Sequence, residues 1–139
     1  MSRLRVGIVG AGKRVGYLYG SLVRLLRDDV ELIGICSHTL ASAQSIADTL
    51  GVPAFDDVAR FVETARPDLF IVSVSRVANG EVGRALAQYR LPLLLETPIA
   101  DEVADADAIV AACRAVNVPV EVAEQYYRRP MERIKAAII

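Results

Sequence analysis

The stretch from Leu4 to Gly16 constrains the fold of this chain more than any other. Leu4 to Val9 is a short apolar run without helical spacing, which predicts a buried strand. Gly10 and Gly12 end the run abruptly. An apolar stripe with helical spacing follows, formed by Val15, Leu18, Tyr19, Leu22, Val23 and Leu26. The sequence therefore predicts a strand, a glycine turn and a helix.

A turn of this kind can hold a diphosphate. Gly10 permits a sharp turn, Gly12 has no Cβ to obstruct a ligand, and the helix start carries unpaired N–H groups and the positive end of the helix dipole. The dinucleotide fingerprint is Gly-x-Gly-x-x-Gly or Ala, whereas this chain has Val at the sixth position and Gly16 one residue later. Two interpretations stay open, a tight connection without a ligand and a cofactor turn formed by Gly10, Ala11, Gly12, Lys13, Arg14 and Val15.

Further apolar segments alternate with helical patterns along the rest of the chain. The strands are predicted at Val30–Cys36, Val52–Phe55, Leu69–Val74, Leu91–Leu95 and Val118–Ala123. This alternation predicts an α/β fold, a doubly wound parallel sheet of six main strands between two helical layers, in the Rossmann order 3-2-1-4-5-6. In that order the ligand crevice opens at the carboxyl ends of strands one and four, so the residues after Val9 and Val74 should line it.

Three residues are expected to end or begin helices. Gly51 should terminate the second helix as a C-terminal cap. Asp56 and Asn79 should cap the third and fourth helices at their N-termini.

The composition favours a small-molecule partner. The 139 residues are 53% hydrophobic, enough for one core, and the net charge is −1 with scattered basic residues, which argues against nucleic acid or an anionic membrane surface. Cys36 and Cys113 are far apart in sequence without further metal ligands nearby, so we predict two small buried residues in a reducing compartment and no metal site. No run reaches membrane-spanning length. The chain is predicted to be soluble and cytoplasmic.

The last segment, Pro130–Ile139, is predicted to be a helix with Pro130 at its first position and an apolar face of Met131, Ile134 and Ile138. That face has no partner among the other elements. Either it docks on this domain or, as we favour, the segment leads into a substrate domain absent from this chain. The dinucleotide domain would then span residues 1–129. The exposed sheet edge and apolar face predict a homo-oligomer.

Four segments together resemble the N-terminal domain of the family of glucose-fructose oxidoreductase, inositol dehydrogenase and MocA. They are Gly10–Gly12, Leu69–Val74, Leu93–Ala100 and Val122–Pro130. The most specific part is Glu-Thr-Pro at 96–98, which resembles the Glu-Lys-Pro signature of the family at the end of strand five. The resemblance implies an NAD(P)-dependent oxidoreductase that passes hydride between nicotinamide and a sugar or polyol carbon, with a second, mostly antiparallel domain for the substrate.

Thr97 stands where the family has a lysine that lies beside the nicotinamide and assists proton transfer. A threonine hydroxyl has neither the ammonium charge nor a pKa near neutrality, so this catalytic position is altered. Glu96 matches the glutamate of the family and is expected to hold the turn or a cofactor group, with an ordinary strand-end carboxylate as the alternative. The resemblance also implies a cis Thr97–Pro98 bond. The missing lysine keeps open a second function, a non-catalytic nucleotide-binding or regulatory module.

The segment after strand four departs from the family, and the segments after strands four, five and six supply further candidate contacts. Where the family usually has Thr-Pro-Pro and then histidine, this chain has other residues whose backbone can still contact a cofactor. The candidate contacts here are Val74, Ser75, Arg76, Asn79, Glu96, Thr97 and Gln125. Tyr126 and Tyr127 are expected near the nicotinamide end or at a domain joint, with core packing as the alternative.

Ser37, His38 and Thr39 follow strand two, where NAD-binding folds commonly place an acidic residue that bonds the ribose 2′-hydroxyl. Without a carboxylate there, Ser37 and Thr39 offer donors and Arg14 offers a cation for a 2′-phosphate. The sequence therefore favours NADP, with NAD possible if Arg14 is solvated and the hydroxyls hold the ribose. His38 is expected to stack on adenine rather than to act as a catalytic base.

Overall fold

The computed structural model describes residues 2–125, 129–130, 134 and 137, which contain one six-stranded parallel sheet. The strand order is β3-β2-β1-β4-β5-β6, with every neighbouring pair parallel, so the predicted doubly wound Rossmann topology is confirmed. The strands are β1 (Leu4–Val9), β2 (Val30–Cys36), β3 (Ala54–Phe55), β4 (Leu69–Val72), β5 (Leu93–Leu95) and β6 (Val120–Val122).

Helices connect successive strands. The stripe that begins at Val15 predicts one helix, and the structure divides it into a π-helical turn (Val15–Tyr19) and α1 (Gly20–Leu25). The others are α2 (Leu40–Leu50), α3 (Val58–Ala65), α4 (Arg76–Ala87) and α5 (Val103–Ala115). None of the helices in the described ranges is long and apolar enough to cross a lipid bilayer.

Two apolar clusters cover the two faces of the sheet and make the predicted three layers. One cluster takes its helical residues from α3, α4 and α5, and the other from the π-helical turn and α2. The first is centred on Phe61, which stacks on Phe55 with ring centroids 4.5 Å apart. A Cβ added at Gly7 or Gly34 would lie 2.8 Å from this ring, so the two glycines give Phe61 its place over the sheet.

The structure corrects two of the three predicted caps. Gly51 has φ 69° and ends α2 as predicted. The cap of α3 is Asp57, not Asp56, because its carboxylate accepts the Arg60 N–H at 2.6 Å, the reach expected from an N-cap to the third helical residue. Asn79 lies inside α4, and the N-cap position of that helix is Ser75. The prediction of an Asn79 cap is wrong because α4 begins earlier, at Arg76.

Candidate functional site

A cleft of about 990 Å³ opens at the carboxyl ends of β1, β2, β4 and β5. It lies at the point where the strand order reverses, the usual ligand position in a doubly wound sheet. The predicted site residues in its wall are Gly10, Ala11, Gly12, Lys13, Arg14, Ser37, His38, Val74, Ser75, Arg76, Asn79, Glu96 and Thr97. The residues that form this wall do not include Val15, Thr39 or Gln125.

Gly10 is a structural requirement of the turn. It has φ +121°, and a Cβ at this position would lie 2.0 Å from the Ser73 carbonyl oxygen. Its N–H donates to the Cys36 carbonyl at 2.7 Å, while the Ser73 N–H donates to the Val9 carbonyl at 2.8 Å. The end of β1 is therefore fixed between its two neighbouring strands, with no room for a side chain.

Gly12 is different, because a Cβ added there would meet no atom within 4 Å. The fold itself therefore does not require glycine at this position, and the open space belongs to the cleft. The structure places Val15 in the core instead, with 0% of its surface exposed. Its N–H donates to the Gly12 carbonyl at 2.9 Å, so neither its side chain nor its N–H faces a ligand.

A hydrogen-bonded network holds the Glu96 carboxylate at the other side of the cleft. The Arg14 guanidinium donates to Oε2 at 2.6 Å, and the Tyr19 hydroxyl donates to Oε1 at 2.6 Å. The Thr97 N–H donates to Oε2 at 3.1 Å. Glu96 is only 7% exposed, and the Arg14 charge balances its own. The network ties the end of β5 to the start of the first helix.

Two pKa values reflect this network. The negative charge of Glu96 raises the pKa of Arg14 above its ordinary value. Burial is the main cause that raises the pKa of Tyr19, and the hydrogen bond to Glu96 adds to it. Tyr19 was predicted only as part of an apolar stripe. Its signal in the sequence is weak but physical, because a buried tyrosine hydroxyl usually needs a hydrogen-bond partner.

Asn79 supports the Glu96–Pro98 turn from beneath. It is 2% exposed, and its Nδ2 donates to the carbonyl oxygens of Glu96 at 3.2 Å and Pro98 at 2.7 Å. Its Oδ1 has no partner among the described residues. The Thr97–Pro98 bond is cis, as predicted, and Thr97 itself is exposed at the cleft. Asn79 therefore positions the turn rather than capping a helix.

The end of the cleft at Ser37 and His38, where the sequence predicts the adenosine, differs from its prediction. Thr39 caps α2, since its hydroxyl accepts the Ser42 N–H at 3.2 Å and donates to the Ser42 hydroxyl at 2.8 Å. Arg14 is paired with Glu96. Asp56 lines the cleft together with Ser37 and His38. The premise that no carboxylate lies at this end is therefore wrong.

The remaining predicted contact residues, Arg76 and Gln125, take no part in the Glu96 network. Arg76 pairs with Asp101 at 2.7 Å, and Gln125 is exposed beyond the end of β6. The predictions for Tyr126 and Tyr127 lie outside the described residues. Within the described ranges, no three His, Cys, Asp or Glu side chains are grouped to hold a metal ion.

Comparison with known proteins identifies the family. The model of the GFO_IDH_MocA oxidoreductase family, an NAD-binding Rossmann fold, matches residues 4–124. The chain belongs to this family. The match covers the glycine turn and the Glu-Thr-Pro turn, and it confirms the resemblance found in the sequence.

Individual proteins similar to this chain match it over part of its length or at low sequence identity. D-glucoside 3-dehydrogenase of Escherichia coli K12 is 35% identical over 74 residues, which are 52% of this chain and 20% of that protein. The WlbA dehydrogenase of Bordetella pertussis, solved with NADH and UDP-GlcNAcA, has a TM-score of 0.87 at 23% identity over 99% of this chain and 42% of its own. The 3-ketoreductase KijD10 of Actinomadura kijaniata, solved with TDP-benzene and NADP, has a TM-score of 0.84 at 17% identity over 99% and 43%. The chain thus spans less than half the length of these proteins.

Removing the Tyr19 hydroxyl tests the network of this family member. We expect Tyr19→Phe to lower the free energy of unfolding by about 2 kcal/mol, because the buried Glu96 carboxylate loses a donor. Urea unfolding measures this change. The matched control is Tyr17→Phe, since Tyr17 is 66% exposed and its side chain contacts Arg14 rather than the Glu96 carboxylate, and its change should stay within about 0.5 kcal/mol. Equal stabilities of the two variants would contradict the role given to Tyr19.

Alkaline pH should weaken the fold through Cys36. Burial, with the charges of Asp57 and Asp56, raises the pKa of Cys36 from 9.0 to about 11. The unfolded chain therefore loses the thiol proton first, so the contribution to stability is complete below pH 9 and declines as the pH rises toward 11. Urea titrations at pH 8 and pH 10 should show a smaller decline in Cys36→Ala than in the unmodified chain. An identical decline in both would contradict this assignment.

Proposed function

We propose that this chain is the nicotinamide-dinucleotide-binding domain of an oxidoreductase that acts on a sugar-like or polyol substrate. The observation that carries the proposal is the open space at Gly12, which lies at the reversal point of the sheet in the same cleft as the Glu96–Pro98 turn. Membership in the GFO_IDH_MocA family supports the cofactor class. Sugar-related names among the similar proteins support the substrate class.

The residues of the cleft suit such a cofactor in three parts. Gly12 and Lys13 would hold the diphosphate at the helix start, since N–H groups there have no partner within the helix. Ser37 and His38 would face the adenosine. Thr97 would lie near the nicotinamide, which supplies hydride transfer when bound. In this arrangement Glu96 and Asn79 fix the turn that carries Thr97, and their task is positioning.

Catalysis by the whole protein needs a proton donor and acceptor that this chain does not supply at position 97. A threonine hydroxyl has no pKa near neutrality, so it is a poor general acid or base at neutral pH. We propose that residues 1–129 form the cofactor domain and that residues 130–139 begin the connection to a substrate domain, which would provide this group. The chain alone should therefore bind cofactor without turning over substrate.

A second candidate is a nucleotide-binding module without catalysis, which Thr97 at the lysine position favours. The two candidates differ in the full-length protein. Reduction of NAD⁺ or NADP⁺ by a panel of sugars and polyols would support the oxidoreductase. Cofactor binding with no such reduction, and none after Thr97→Lys, would support the module.

The binding proposal is tested by titrating the purified chain with NADH and NADPH and following reduced-nicotinamide fluorescence. We expect saturable binding of at least one of them, which ADP-ribose reverses by competition. Binding of neither at millimolar concentration would overturn the proposal. Competition by an unrelated phosphorylated compound but not by ADP-ribose would assign the glycine turn to another ligand.

Self-association and cytoplasmic location stay predictions of the sequence. Cys36 and Cys113 are both buried, as the sequence predicts. Light scattering of the purified chain measures the oligomeric state directly, and a monomer would count against the homo-oligomer. The choice between NADP, which the sequence favours, and NAD depends on the adenosine end of the cleft.

A further inference from the structure

The ends of β2 and β3 bring a carboxylate to the adenosine end of the cleft. In the parallel pairing of these strands, Cys36 lies opposite Phe55. The Ser37 N–H donates to the Phe55 carbonyl at 3.0 Å. Because neighbouring strands lie about 4.8 Å apart, the next residues, Ser37 and Asp56, emerge side by side. Both line the cleft.

The neighbouring aspartates have different tasks. Asp57 uses its carboxylate to cap α3 through the Arg60 N–H at 2.6 Å. Asp56 has no such duty in the helix, and its exposed side chain lies in the cleft wall. Both carboxylates contribute to the raised pKa of Cys36, after burial, which agrees with their position at this end of the sheet.

Two cations and one hydroxyl that could contact a 2′-phosphate have other partners. The Arg14 guanidinium donates to Glu96 at 2.6 Å. Arg76 pairs with Asp101 at 2.7 Å. The Thr39 hydroxyl caps α2. A 2′-phosphate would therefore meet the Asp56 charge without the free Arg14 cation that the sequence pattern suggested.

We propose that Asp56 selects NAD(H) over NADP(H), an inference that rests on the proposed function. Its carboxylate accepts a hydrogen bond from the adenosine ribose hydroxyls and repels a phosphate at the 2′ position. A carboxylate is a strong acceptor for a hydroxyl, and a 2′-phosphate brings nearly two negative charges beside it. Selection thus comes from an attraction and a repulsion at the same group. In this chain the acidic residue sits after strand three, not at the usual place after strand two.

Fluorescence titration of the chain with NADH and with NADPH tests this selection in two variants of equal charge. The unmodified chain should bind NADH about tenfold more tightly than NADPH. Asp56→Asn should tighten NADPH binding about tenfold and weaken NADH binding a few-fold. Asp57→Asn is the matched control, because asparagine caps a helix as well as aspartate does. Its NADH to NADPH ratio should stay within about threefold of the original.

The outcomes separate this inference from the function on which it rests. Binding of neither compound by the unmodified chain overturns the proposed function. Equal binding of both by that chain, or equal ratios in Asp56→Asn and Asp57→Asn, overturns the inference alone. Thermal unfolding verifies that each variant is folded, and Asp56→Ala, at this exposed site, gives a second test with the same expected direction.

A third probe separates the ribose hydroxyls from the adenine amine, the other donor of adenosine. Reduced nicotinamide hypoxanthine dinucleotide lacks that amine and keeps both ribose hydroxyls. If Asp56 forms a hydrogen bond with the ribose, Asp56→Asn should weaken the binding of this compound and the binding of NADH by the same factor. A loss confined to NADH would assign Asp56 to the amine and overturn the ribose contact.

Discussion

Replacing Gly12 with valine should abolish dinucleotide binding and leave the fold intact. A Cβ added here would meet no protein atom within 4 Å, so the valine side chain would extend into the open space proposed for the diphosphate. We expect at least a 100-fold loss of affinity for NADH, which corresponds to about 2.7 kcal/mol of binding free energy. Fluorescence titration measures the affinity, and thermal unfolding should show a midpoint within about 3 °C of the original.

Gly16→Ala is the matched control for this loss. A Cβ at Gly16 would lie 3.6 Å from Ile46 Cδ1, an ordinary contact, and this residue is absent from the described cleft wall. Affinity should not change, and stability should rise by about 0.5 kcal/mol because alanine favours a helix. Equal affinities of Gly12→Val and the unmodified chain for NADH would contradict the placement of the diphosphate at this turn.

Replacing Gly10 with alanine should damage the fold itself. The added Cβ would stand 2.0 Å from the Ser73 carbonyl oxygen, at φ +121°, so β1 and β4 would have to separate. We expect a loss of about 4 kcal/mol in the free energy of unfolding, the size of a severe core defect. Urea unfolding followed by circular dichroism measures it.

Gly51→Ala isolates the backbone part of this effect. Gly51 also has a positive φ, +69°, but a Cβ there would meet nothing within 4 Å. Strain alone should cost about 1 kcal/mol at this position. If Gly10→Ala cost no more than Gly51→Ala, the close approach of Ser73 would not be a constraint on the fold.

The fold followed from local patterns in the sequence, whereas parts of the site did not. Apolar runs such as Leu69–Val72 show buried strands directly, and the handedness of crossovers then restricts their order. The partners of Glu96 could not be found in this way. Tyr19 lies 77 residues away in sequence, and its hydroxyl reaches the carboxylate only in the folded chain.

The end of the cleft proposed for the adenosine shows how a one-residue shift changes a chemical prediction. Asp56 and Asp57 are both good N-caps, and the sequence does not distinguish them. Because α3 begins at Val58, Asp57 is the cap, and Asp56 lies in the cleft wall instead. The sequence likewise leaves Arg14 either as a cation for a 2′-phosphate or as a solvated residue, and only the folded chain pairs it with Glu96.

A crystal structure of the chain grown with NADH would show directly where the cofactor binds. We expect the diphosphate within hydrogen-bond distance of the N–H groups at Gly12 and Lys13. We also expect the nicotinamide nearer to Thr97 than to Ser37, with the adenosine at the opposite end. A dinucleotide bound elsewhere on the chain, or in the reverse direction along the cleft, would contradict the proposed placement.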